Sequence, residues 1–163
     1  MNNFLSSIYN KIIKQSKKKF FFDNFLIPDS TRLRLEIFQL NLIIILWYMN
    51  ISKVEKKKME SIILYFLKDL EYLLRESGEA DSRIPKKTRA LVENFYGRLS
   101  VYSESFTKLV NKEKFNLENK LKLNFNSSKI DYNKLKKYTE KNVLHFSKLK
   151  KDDFIIMNFD FVE

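Results

Sequence analysis

Residues 69–102 read DLEYLLRESGEADSRIPKKTRALVENFYGRLSVY, and the spacing of their apolar positions decides the fold. Before the central Gly78, apolar residues fall at Ile62, Ile63, Phe66, Leu67, Leu70, Leu73 and Leu74. After it they fall at Leu91, Phe95, Leu99, Tyr102, Phe106 and Leu109. Both sets recur every three to four residues, the period of a helix with one buried face. Gly78 stands where a helix closes through a left-handed residue, a conformation only glycine adopts without strain. Asp81 or Ser82 can cap the next helix, and Pro85 suits its first turn, where an N–H has no partner to lose. The stretch is a long antiparallel helical hairpin.

Outward from the hairpin, the chain continues to read as helix. Its 163 residues are one domain's worth and can bury a true core. Two glycines and two prolines leave little material for the turns a sheet requires, so the expected class is all-α, a single domain around that hairpin. Three regions are expected: a basic amphipathic helix and turn over 1–29, a helical core over 30–111, and a less regular extension over 112–163.

Pro28, Asp29 and Ser30 mark a turn and a helix start, and the helix runs from about Thr31 to Asn50. Its apolar run, Leu42 to Met49, is far short of the roughly 20 residues a membrane span needs. Arg32, Arg34 and Glu36 precede it closely, so a buried central helix is expected. In residues 1–22, Phe4, Leu5, Ile8, Tyr9, Ile12 and Ile13 share one side, with Lys11, Lys14, Lys17, Lys18 and Lys19 as the basic complement. Two readings are open: a helix lying in an anionic headgroup layer, each lysine adding about 1 kcal/mol, or a helix packed on the domain. An organelle targeting segment is a third. Downstream, a short helix is expected within 112–125, another from Asp131 or Tyr132 to about Lys150, and an extended tail over 154–162 that lies across the core or docks on a partner.

The chemistry that could make an enzyme is thin. No cysteine is present, which removes disulfides, thiolate metal sites and a catalytic thiol. The one histidine, His145, lacks matched ligands or a nucleophilic partner at suitable spacing. With Gly78 and Gly97 the only glycines, no phosphate-cradling loop exists. A binding protein without cofactor, metal or small-molecule substrate is expected. The net charge of +11 favours anionic partners, although lysine also accumulates in AT-rich coding sequence. Gly97, inside a helix, costs about 1 kcal/mol against alanine and calls for a close neighbour. Arg83, Lys86, Lys87 and Arg89 crowd the positive end of a helix dipole, an arrangement that does not help the helix. Arg75 can pair with Glu71 one turn earlier or hold the Gly78 loop.

Asp69, Leu74-Arg75-Glu76, Gly78, Pro85-Lys86-Lys87, Phe95-Tyr96-Gly97-Arg98 and Tyr102 together resemble the signature of the ubiquinol–cytochrome c chaperone family. That family includes the mitochondrial cytochrome b assembly chaperone and its alphaproteobacterial relatives. The similarity is best over roughly residues 33–110; Ser77 stands where methionine is common, and Glu79 and Ala80 where small or apolar residues are. The resemblance implies a non-enzymatic chaperone that handles newly made cytochrome b during assembly of complex III. It also implies a small partner chaperone, the ribosome and the membrane as neighbours. The corresponding location is the bacterial cytoplasm at the inner membrane, or the mitochondrial matrix side in an organelle-bearing cell. On this reading Arg75, Glu76, Lys86, Lys87, Phe95, Tyr96, Arg98 and Tyr102 form the partner surface, and Asp69, Gly78, Pro85 and Gly97 shape the motif. Lys11 to Lys19 meet anionic lipid or ribosomal RNA. A general nucleic-acid-binding or peripheral membrane protein is the alternative.

Overall fold

Every side chain from Gln39 to Met49 is buried, so the most apolar helix is the one the others enclose. This helix, α3, spans Thr31–Ile51. It starts where Ser30 accepts a hydrogen bond from the Leu33 N–H at 3.2 Å, satisfying one of the donors a helix start leaves free. By length and composition it could cross a membrane, yet 72% of its most apolar window is buried inside the protein, as in a core helix. The computed structural model describes residues 3–163.

Eight helical segments make up the described residues, with no strand among them. The first, α1 (Asn3–Ser16), packs Ile8, Tyr9 and Ile12 against α3. A short α2 (Phe20–Asp23) leads to α3, and α4 (Lys56–Glu76) and α5 (Ile84–Val110) form the expected hairpin. The hairpin sits on α3 through Ile62, Phe66 and Leu70 from one arm and Phe95, Tyr102 and Phe106 from the other. Gly78 turns it at φ +78°. The expected cap is corrected: neither Asp81 nor Ser82 caps α5. Arg83 occupies that position without a side-chain bond, and main-chain turns such as Arg83 N–H to Ala80 O (2.8 Å) replace the cap. Pro85 lies in the first turn as expected.

The remaining helices are α6 (Leu117–Phe125), α7 (Tyr132–Ser147) and α8 (Lys151–Ile155). Asn116 and Asp131 cap α6 and α7 by accepting from the N–H groups three residues on. One hydrophobic cluster runs from Ile8 to Phe159, so the first helix and the extension share the core of the hairpin. Within it, Tyr138 donates to Asn41 (2.7 Å) and accepts from Gln15 (3.0 Å), while Asn41 donates to Ser16 (3.0 Å). This buried network is satisfied at each link and fixes the register of α1, α3 and α7.

Candidate partner-binding surface

The signature residues separate into two groups once their neighbours are known. Phe95 and Tyr102 are fully buried in the core, Phe95 against Phe66 (ring centroids 4.9 Å) and Tyr102 stacked along Phe106. Arg98 is largely enclosed and donates two bonds to the buried Glu36 of α3, at 2.8 and 2.6 Å. The expectation that these three face a partner is corrected. Helical spacing put them on α5, but α3 covers the side that carries them.

Tyr96 does remain exposed, as do Glu76, Lys86 and Arg89. Arg75 bonds Glu71 at 2.8 Å and approaches Asp81 across the loop at 3.9 Å, so both roles read from the sequence are present. Lys87 and Arg83 both reach Glu79, at 2.5 and 3.8 Å. Among the described residues Lys86 and Arg89 make no ion pair, which leaves the basic cluster with two free cations. Gly97 gives a second correction. A Cβ built there would meet nothing within 4 Å, so no neighbouring helix of this chain requires the glycine.

Two hollows open on either side of Leu35. The first, of about 350 Å³, lies between α1, α3 and α4, with Tyr9, Ile13, Leu35, Phe38, Phe66 and Leu73 as its apolar lining. Lys17, Arg34 and Asp69 stand among these residues. Arg34 forks onto Asp29 at 2.5 and 2.9 Å, holding that carboxyl below its ordinary pKa. Tyr9 donates to Asp69 at 2.5 Å, and burial first, then the Asp69 carboxylate, push its phenol well above the usual tyrosine range. This bond explains Asp69: it ties α4 to α1 at the groove's edge. The second hollow, about 330 Å³, is lined by Leu70, Leu91 and Leu123, with the Glu36–Arg98 pair within it.

The groove exists because the hairpin's apolar stripe outruns its cover. Leu70 is buried, but Leu73, one turn later, is 47% exposed. Sequence reasoning missed Leu35 and Phe38, although apolar positions in residues 33–38 exceed what a single buried face uses. On α1 the structure selects the packed-helix reading, because the apolar side that would enter a lipid layer is already in the core. Lys11 bonds the Phe159 carbonyl (2.6 Å) and Asp160, and Lys18 pairs with Glu163, whereas Lys14, Lys17 and Lys19 are exposed. His145 meets the Asp160 carbonyl at 3.1 Å. No group of three or more metal-ligating residues occurs among the described residues.

Comparison with solved structures finds the same fold in the crystal structure of the Cbp3 homolog from Brucella abortus. The match has a TM-score of 0.80 and 22% identity, and covers 98% of this chain and 89% of that one. Comparison with curated proteins gives no match. A family model described as ubiquinol–cytochrome c chaperone matches residues 23–161, nearly the whole chain, and the chain therefore belongs to the family of chaperones for complex III assembly.

Proposed function

We propose that this protein is a non-enzymatic chaperone that binds newly made cytochrome b through the apolar groove between α1, α3 and α4. The groove is the observation that carries the reading. A partly open apolar surface among helices suits one helical face of an apolar segment. Each aliphatic side chain of that segment that becomes fully buried contributes about 1.5–3 kcal/mol. Asp69 and Lys17 give the groove polar edges that orient such a segment without sealing it in. The free cations Lys14, Lys19, Lys86 and Arg89 support docking at an anionic surface, either the cytoplasmic face of the membrane or ribosomal RNA. Such docking weakens steeply as salt rises.

A photo-crosslinker at Leu73 in the full chain tests the groove. Covalent capture of cytochrome b there, but not from Leu144 on α7, is the expected result. The companion variant Leu73→Asp, at an exposed site, is expected to lower capture at least tenfold with an unchanged melting curve. Equal capture from both positions, or undiminished capture by the variant, overturns the assignment.

A further inference from the structure

From Phe159 onward, no main-chain group of the described residues bonds another main-chain group. Residues 159–163 are instead held by side chains. Asn142 of α7, fully buried, donates its amide to the Val162 carbonyl (2.8 Å) and accepts the Val162 N–H (2.9 Å). Lys11 of α1 takes the Phe159 carbonyl and covers its ring at 4.9 Å, and His145 meets the Asp160 carbonyl. The Phe159 ring stacks on Phe154 at 4.9 Å, and Phe161 meets Phe146 edge-on at 5.3 Å. Lys18 pairs with the Glu163 carboxylate.

One N–H of this amide stays on the Tyr138 carbonyl (3.0 Å), and the other, with the amide oxygen, pairs both main-chain groups of one residue, which is how a protein reads an extended peptide irrespective of side chain. The aromatic contacts and lysines then add selectivity for ring and carboxylate. The segment leaves α8 through a left-handed helix end, Met157 at φ +64°, closed by the Asn158 N–H on the Asp153 carbonyl (2.8 Å), and the preceding Ile156 is 71% exposed. We propose that the furrow between α1 and α7 is a binding site for an extended peptide with two aromatic residues at alternate positions and flanking carboxylates. The chain's own residues 159–163 occupy it in cis, and a partner segment of the same chemistry displaces them in trans.

The test uses the full chain and a fluorescent, N-acetylated peptide of residues 156–163, read by anisotropy. The double variant Phe159→Ala/Phe161→Ala loosens the occupant without altering the furrow. It is expected to bind the peptide at least tenfold more tightly than the unaltered protein does. A peptide N-methylated at Val162, which has lost the N–H that Asn142 accepts, is expected not to bind. A folded variant that ignores the peptide, or binding indifferent to N-methylation, overturns the proposal. Should circular dichroism show the variant unfolded, amide exchange of the unaltered protein decides. Val162 exchanging at least a hundredfold faster than the core amides of α7 supports a segment that opens alone. Exchange of both only by global unfolding overturns it.

Discussion

Arg98 and Glu36 hold each other through two parallel bonds, from Nε to Oε2 and from Nη2 to Oε1, across 62 residues of sequence. Both side chains are largely enclosed. Removing one partner of such a pair strands a buried charge, at a cost of about 3–5 kcal/mol. Arg98→Ala is expected to lower stability by that amount in denaturant unfolding. Arg98→Lys recovers only part, since an ammonium cannot form the fork. The pair Glu36→Gln/Arg98→Met is expected to be more stable than either single change.

Phe95 and Tyr102 behave as core residues, but differently from one another. Phe95→Ala is expected to cost about 3–5 kcal/mol. The Tyr102 hydroxyl lies towards Asn124 yet closes no hydrogen bond, so a buried polar group goes unsatisfied. Tyr102→Phe is therefore expected to be neutral or stabilising in thermal unfolding, where a hydrogen-bonded tyrosine would lose stability.

The two glycines answer the same substitution with opposite signs. Gly97→Ala adds a methyl into open space on a helix and is expected to stabilise by about 1 kcal/mol. Gly78→Ala forces a side chain into φ +78° and is expected to destabilise by about 1–2 kcal/mol. Paired denaturant titrations check both at once.

Alkaline pH supplies another expectation. Burial, before any other cause, raises the pKa values of Tyr9, Tyr102 and Tyr138 in the folded chain. Each folded value stands above the unfolded one near 10, so the native state retains protons that the unfolded state has lost. The stabilisation is complete below pH about 10 and falls as pH rises beyond it, by up to about 1.4 kcal/mol per unit for each tyrosine. Tyrosinate absorbance from these three is expected to appear only with unfolding, and Tyr9→Phe to flatten the decline.

Periodicity located what it is able to locate. The hairpin, the buried run after Leu40 and the left-handed Gly78 were legible because each depends on residues within one or two helical turns. The partners of those elements were not. Arg98 reads as surface until Glu36 is brought beside it, and Asp69 reads as an ordinary exposed acid until Tyr9 arrives from α1. The groove was hidden for the same reason: an apolar stripe shows which face is to be covered, not where the cover stops. Leu73 is where it stops. The segment 154–162 reads as an extended tail crossing the core or meeting a partner; Phe154 and Ile155 instead end α8, and the α1–α7 seat of the residues beyond depends on Asn142, which no local pattern marks.

The enclosure of α3 has a consequence for how the protein is made. Tyr48 donates its hydroxyl to the Leu149 carbonyl and rests against Phe146 and Phe154, while Trp47 bonds Thr107 and meets Phe106. All of these partners lie far downstream, so during synthesis the run from Leu40 to Met49 leaves the ribosome about a hundred residues before its last cover exists. Over that interval α1, and later the hairpin, cover only part of the helix, and the nascent chain presents its remaining apolar side to whatever inserts such helices into bilayers. The polar and charged side chains of Arg32, Arg34, Glu36 and Asn41 are what weigh against that helix being taken for membrane.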